Sequence, residues 1–179
     1  MAAAQTLMKA AMAAETQKSP MAADFWSQAG NAAILGGDIR GAIAHFSSGI
    51  VAAGEFAPQR TANLLVDRAR AQAELQDLKA ARTDLDRALK LTQAEPDAWL
   101  LSAALARREK DLTRAKADIA RAAALAPADG DILFEQGNIA AASGDYAAAR
   151  AHWQQAEKLA PDSDAATLAR NALAANPAE

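Results

Sequence analysis

The sequence predicts an all-α fold built from antiparallel helical hairpins that repeat along the chain. Two observations carry this prediction. A short turn containing an aspartate recurs at a nearly constant spacing, and small and bulky apolar residues recur around each turn at helical intervals. A period of about 20 to 50 residues is typical of arrays in which each structural unit packs on its neighbours.

An aspartate marks each recurring turn. Asp77, Asp111 and Asp145 lie 34 residues apart, and Asp38 lies 39 residues before Asp77. An alanine follows each aspartate by four residues, and a bulky apolar residue follows by eight: Ala42 and Phe46, Ala81 and Leu85, Ala115 and Ile119, Ala149 and Trp153. These intervals place both residues on one face of a helix, and they predict that the aspartates are N-caps.

Another helix precedes each turn. Its large residue and the small residue four positions later are Trp26 and Gly30, Leu65 and Ala69, Trp99 and Ala103, Leu133 and Gly137. Small residues let two antiparallel helices approach closely, and large ones fill the space between neighbouring hairpins. Pro127 and Pro161 end two of the units, because proline cannot continue a helix.

This series resembles the tetratricopeptide repeat, a helix–turn–helix unit of about 34 residues. The resemblance implies a right-handed α-solenoid, that is, a superhelix with a concave groove. It divides a single domain, residues 1–179, into four repeats at 23–61, 62–95, 96–129 and 130–163. The first two repeats depart from the pattern, because Gly54 and Gln93 replace the terminal proline and Arg68 occupies a place that is usually apolar.

The ends and the first joint are irregular. Residues 1–19 contain a helix that resembles the second half of a hairpin, and two explanations stay open: a solvent cap, or the cut edge of a longer array. Residues 164–175 form a C-terminal capping helix. The five extra residues of the first repeat lie within 54–61, where we expect the next helix to start early at Pro58, because proline suits a first helical turn.

Composition excludes several classes of function. A net charge of −3 and a pI near 5.4 argue against a nucleic-acid partner. The absence of cysteine excludes a thiolate nucleophile and cysteine-based metal sites. No apolar run approaches the roughly 18 residues of a spanning helix, so direct membrane insertion is not expected. Localisation is open: cytoplasmic as written, periplasmic if an export signal was removed. Alanine richness suggests a bacterial source.

No residue set indicates catalysis. His45 and His152 occupy equivalent places before the core aromatics Phe46 and Trp153, so a structural role is expected. Asp84 and Asp86 are two apart on a helix, point to different sides and are predicted to be solvated. The glycine-rich stretch 35–41 lacks the ending of a phosphate loop. The sequence therefore predicts no enzyme, no cofactor and no metal.

The resemblance implies that the first helix of each hairpin lines the groove. Asparagine there can bind the backbone of an extended peptide, arginines supply positive charge, and leucine, valine and phenylalanine supply apolar anchors. The predicted groove residues are Asn31, Val66, Arg70, Leu100, Leu101, Arg107, Arg108, Phe134 and Asn138. Co-chaperone domains of this family clamp a C-terminal carboxylate, but Ser27, Asp67, Asp97 and Leu101 stand at the places of that clamp, so this mode is not expected.

The predicted function is a protein–protein interaction scaffold or adaptor that binds a peptide or helix of a partner in its groove. The alternative is a structural assembly subunit that self-associates through its terminal helices, as a piece of a larger envelope or secretion-related protein. The identity of the partner and the oligomeric state stay open.

Overall fold

The structure is a computed structural model that describes residues 2–54 and 57–177. Within these ranges all regular secondary structure is helical. The ten helices are α1 (Ala2–Thr16), α2 (Ala22–Leu35), α3 (Ile39–Ala53), α4 (Pro58–Glu74), α5 (Leu78–Leu91), α6 (Pro96–Arg108), α7 (Leu112–Leu125), α8 (Gly130–Ala142), α9 (Tyr146–Leu159) and α10 (Asp164–Ala175). The predicted all-α class is confirmed.

Contacts divide the chain into two compact units, Met1–Gln93 and Ala94–Glu179. In the first unit α1 packs on α2, and the pairs α2/α3 and α4/α5 are joined by contacts between α3 and α4. In the second unit the pairs α6/α7 and α8/α9 pack together, and α10 packs on α9 and α8. Each predicted repeat covers one helix pair; the repeat boundaries themselves stay predictions.

The four turn aspartates cap the helices that follow them, as predicted. Asp38, Asp77, Asp111 and Asp145 each accept a hydrogen bond from the backbone N–H three residues later, at 2.8 to 3.1 Å. This bond satisfies one of the amide groups that a helix start leaves without a partner. The second helix of every hairpin therefore begins in the same way.

Glycine allows the closest helix contacts. A Cβ atom on Gly30 would overlap the ring of Phe46, and one on Gly137 would overlap the indole of Trp153. Both aromatic rings are almost completely buried. The large residue of one helix thus lies directly against the small residue of the other, as the sequence pattern predicts.

The joint between the first two helix pairs includes residues 55 and 56, which lie outside the described residues. On its far side α4 begins at Pro58, at the early position expected from the sequence. The Thr61 hydroxyl donates a hydrogen bond to the Gly54 carbonyl oxygen at 3.2 Å. This bond ties the end of α3 to the first turn of α4.

Candidate functional site

The candidate site is the groove face, defined as the surface formed by α2 and α4 in the first unit and, separately, by α6 and α8 in the second. The predicted groove residues fall on these four helices. Asn31, Val66 and Arg70 belong to the first unit. The other six belong to the second: Leu100, Leu101, Arg107, Arg108, Phe134 and Asn138.

A cleft of about 490 Å³ lies between the N-terminal halves of α2 and α4. Its polar lining includes Asp24 and Ser27 from α2 and Gln59, Arg60 and Asn63 from α4. The Arg60 Nε and Asp24 Oδ1 atoms are 2.8 Å apart. Both side chains are more than a third exposed, so solvent screens this ion pair and its contribution to stability is small. A ligand can therefore compete for either partner.

The three predicted residues of the first unit do not line this cleft. Asn31 and Arg70 are exposed and lie C-terminal to it along α2 and α4. Val66 is only 9% exposed, because it packs inside the unit, and it offers little surface to a partner. The residues predicted from the sequence lie on the same two helices as the cleft, but the cleft's charged pair, Asp24 and Arg60, was not among them.

A half-buried carboxyl group lies beside the predicted residues on α4. Burial raises the pKa of Asp67 above its ordinary value of 3.8, and the positive charge of Arg70, three residues on, partly opposes that rise. Asp67 thus carries a charge that folding has partly removed from water. A hydrogen-bond donor from a ligand would lower the cost of keeping that charge.

In the second unit, Arg107 forms a network with Glu135 across α6 and α8. Its Nε and Nη2 atoms donate to the two carboxylate oxygens of Glu135 at 2.6 and 3.0 Å. Asn138 Nδ2 donates to Glu135 at 3.0 Å, and Trp153 Nε1 donates to Asn138 Oδ1 at 3.2 Å. The Glu135 side chain is buried. The charge of Arg107 and the amide of Asn138 are therefore engaged within the chain, unlike the open groove groups that the sequence suggested.

The remaining predicted residues of the second unit differ in accessibility. Arg108 is exposed, whereas Leu100, Leu101 and Phe134 are half-buried. Leu100 packs on the core between α6 and α7, and Phe134 packs on the cluster around Trp153. These apolar side chains fill part of the core and present only their remaining surface on the groove face.

A family model of the tetratricopeptide repeat matches residues 130–163, which are the bounds of the fourth predicted repeat. Solved tetratricopeptide structures match most of the chain. Residues 130–163 therefore form a tetratricopeptide repeat, and the chain as a whole is similar in fold to tetratricopeptide structures. Tetratricopeptide repeats are in general protein-interaction modules rather than enzymes. No curated protein matches the sequence.

Three solved structures illustrate the likeness of this chain's fold to known proteins. YrrB, a TPR protein with an unusual peptide-binding site, is 19% identical with a TM-score of 0.67, and the match covers 93% of this chain and 89% of YrrB. The first TPR domain of Spaghetti (RPAP3), bound to an HSP90 peptide, is 24% identical with a TM-score of 0.61, covering 68% and 93%.

The third structure is the APC/C hetero-tetramer Cut9–Hcn1, which matches at 19% identity with a TM-score of 0.75. The match covers 95% of this chain and 34% of the solved one, so the chain spans about a third of that protein's length. At these identities the likeness concerns the fold. The predicted fold class, an α-solenoid of the tetratricopeptide type, is confirmed.

A buried ion pair lies inside the second hairpin, and the prediction that Asp84 is solvated is wrong. Asp84 is 5% exposed and accepts two hydrogen bonds from Arg68, both at 2.7 Å. Arg68 also donates to the Ser47 hydroxyl of α3 at 2.9 Å. The place on α4 that is usually apolar can hold arginine because a carboxylate faces it across the hairpin.

The same two positions form a polar pair in the third hairpin. The Ser102 hydroxyl donates to Asp118 at 2.6 Å, and both residues are buried. The two pairs have the same 16-residue separation, and the second lies one repeat after the first. The sequence signal for this pair is the 34-residue spacing between Asp84 and Asp118, which matches the spacing between Arg68 and Ser102. The neighbouring carboxylate Asp86 carries no such information.

The two histidines occupy the place of these aspartates in the first and fourth hairpins. His45 stacks on Trp26 with ring centroids 5.6 Å apart. The Nδ1 atom of His152 is buried without a hydrogen-bond partner among the described residues. Both rings therefore belong to the packing of the hairpins.

The described part of the chain offers neither a cluster of metal ligands nor a helix that could span a membrane. Over residues 2–54 and 57–177, no three histidine or acidic side chains converge in a way that could hold a metal ion. In the same ranges, no helix combines the length and the apolar character needed to cross a membrane.

Proposed function

We propose that this chain is a scaffold that binds a peptide or helical segment of another protein on its groove face. The observation that carries the proposal is the cleft between α2 and α4, where an exposed ion pair and three uncharged polar side chains surround an open volume of about 490 Å³. Amide and hydroxyl groups can bond the backbone of an extended segment, and either partner of the ion pair can exchange for a charged group of the ligand.

The length of the groove face along α2 indicates how many residues of a partner's peptide it can hold. Asp24, Gln28, Asn31 and Leu35 recur at helical intervals on one side of the helix. Eleven residues separate Asp24 from Leu35, which corresponds to about 16 Å at 1.5 Å per residue. An extended peptide covers that distance with about five residues. Leu35 is 91% exposed and supplies an apolar anchor at the far end.

Solved proteins of the same fold support binding of a peptide as a mode for this chain. YrrB has a peptide-binding site, and the Spaghetti domain is bound to an HSP90 peptide. The chaperone-tail mode is not proposed for this chain. Asp97 places negative charge where the resemblance implies a cation of the carboxylate clamp, and Asp67 stands where it implies an asparagine.

The proposal is tested with a peptide selected from a displayed random library against the full chain. Arg60→Glu changes the cation of the cleft and Leu35→Glu the apolar anchor at the far end of α2, and each is expected to weaken binding of the selected peptide about tenfold. Arg121→Glu, on the outer helix α7, is the matched charge-reversal control and should leave affinity unchanged. If both groove-face variants bind the peptide with the affinity of the wild type and of the control, the groove face is ruled out as the binding site. Arg107 is unsuitable for this test, because its removal leaves the buried Glu135 without its cation.

Self-association through the terminal helices is the second candidate. Met12 of α1 is 53% exposed and Leu168 of α10 is 48% exposed, so each terminal helix presents one large apolar side chain. Sedimentation velocity over a wide concentration range separates the two functions. A mass that stays that of one chain counts against assembly; a concentration-dependent mass that Met12→Lys or Leu168→Lys abolishes would support it.

A further inference from the structure

A second surface of the first unit lies between helices α3 and α5, named here the outer helices of the unit. There the C-terminal ends of these helices and the first turn of α4 enclose a cleft of about 380 Å³, named here the outer cleft. Ile50 and Val51 come from α3, Pro58 from α4 and Leu91 from α5. The wall of the outer cleft is thus apolar on three sides.

Val51 is unusual for its place in the repeat. It lies 13 residues after the capping aspartate of its helix, where the other hairpins have Lys90, Ala124 and Lys158. Val51 is nevertheless 80% exposed. A β-branched apolar residue that projects into solvent at the edge of an apolar cleft contributes nothing to the core, whereas it can bury its surface against a partner.

Arg87 is the charged residue among the described residues that line the outer cleft. It is exposed at the rim, and no described residue accepts a hydrogen bond from its guanidinium. Lys90, also exposed, follows on the same helix. A cation that stands at the rim of an apolar cleft is complementary to a carboxylate next to an apolar side chain.

We propose that the outer cleft docks an acidic segment of a partner protein. The segment inserts an apolar side chain beside Val51 and Leu91 and places a carboxylate on Arg87. Thr61 is buried and holds the end of α3 against α4, so the cleft is already formed before binding. Among the described residues that line them, the outer cleft and the cleft on the groove face share Pro58 alone, and the proposal does not depend on groove binding.

The test uses two labelled, end-capped peptides of about 12 residues, long enough for a helical turn or an extended segment. One combines leucine with glutamate, and the other has lysine in place of every glutamate. Fluorescence anisotropy with the full chain should show binding of the acidic peptide, weakened by added salt. Amide chemical-shift changes should fall on α3 and α5.

Two variants test the named contacts. Val51→Gln replaces the apolar side chain with an uncharged polar one, and Arg87→Glu reverses the rim charge; each should weaken binding about tenfold. Arg121→Glu changes the repeat-equivalent arginine of the second unit and should alter affinity by less than about twofold. All three positions are exposed, so the midpoint of unfolding should not change.

Four results would overturn the proposal. Equal binding of both peptides would contradict the charge complementarity, and unchanged affinity in Val51→Gln and Arg87→Glu would show that the peptide binds elsewhere. Shifts confined to α2 and α4 would assign the peptide to the groove face instead. Sedimentation velocity tests a second copy of the chain as occupant: self-association that Val51→Gln abolishes would identify the chain itself, and not an acidic segment, as the ligand.

Discussion

Replacing Arg68 by methionine should destabilise the first unit strongly, because it leaves the Asp84 carboxylate buried without its cation. Removing one partner of a fully buried ion pair costs about 3 to 5 kcal/mol. The Arg68 side chain is 20% exposed and that of Asp84 8%, so water reaches the pair to a small extent and we expect a value near the lower limit, about 3 kcal/mol. The thioether chain retains most of the packing of the arginine stem.

The assay is a double-mutant cycle with Arg68→Met, Asp84→Leu and both together, measured by urea unfolding with circular dichroism. The double variant should lie within about 1 kcal/mol of the wild type, because two apolar groups of similar volume replace a desolvated pair. A single variant that costs less than about 1 kcal/mol, or a double variant as unstable as the single, would refute the argument. Lys90→Met, at an exposed site on α5, is the control and should change stability by no more than about 0.5 kcal/mol.

Three further predictions concern packing, capping and pH. Gly30→Ala and Gly137→Ala should each destabilise the chain by about 1 to 3 kcal/mol, because the new methyl group overlaps Phe46 or Trp153, whereas Gly130→Ala, whose Cβ would meet only Ala165 at 3.3 Å, should be close to neutral in thermal unfolding. Asp145→Ala should cost about 1 kcal/mol in urea unfolding through loss of the cap on α9, and Asp145→Asn should retain most of that stability. Asp67→Asn should stabilise the protein at pH 7. Because the pKa of Asp67 is raised on folding, the folded chain holds this proton more tightly, and stability falls as pH rises from 3.8 through the folded pKa. The advantage of the variant should disappear as the pH is lowered below 3.8, and an equal advantage at every pH would contradict this origin.

The positions of the helices could be predicted from the sequence, because the same pattern of residues occurs in all four repeats. The turn aspartates, the alanine four residues later and the bulky residue eight later each have one physical reason, and the structure confirms the caps at Asp38, Asp77, Asp111 and Asp145. Even at the irregular joint the start of α4 at Pro58 was predictable, because proline suits a first helical turn and disrupts a helix interior.

The contacts between helices were less predictable. A helical period places Arg107 on the groove side of α6, but it does not reveal that the side chain reaches Glu135 on α8, 28 residues away. The cleft between α2 and α4 is lined in part by residues 57–60, next to the irregular first joint, which has no equivalent in the other repeats and which the repeat pattern therefore cannot describe. Val66 lies on the predicted helix but is buried by its neighbours, because a one-residue rotation separates the groove side from the core side.

Arg68 has one more consequence, for the cooperativity of unfolding. Its guanidinium binds Asp84 within its own hairpin and Ser47 in the preceding one. The stability of a repeat protein has two parts, the contacts inside each hairpin and the contacts between neighbouring hairpins. When the contacts between neighbours contribute a large share of the free energy, the hairpins unfold together and not one at a time. A single side chain that joins three helices adds to that shared part. Opening of α3 alone would break the Ser47 bond and expose the edge of the Arg68–Asp84 pair, so amide hydrogens of α3 and α5 should exchange with similar free energies of opening.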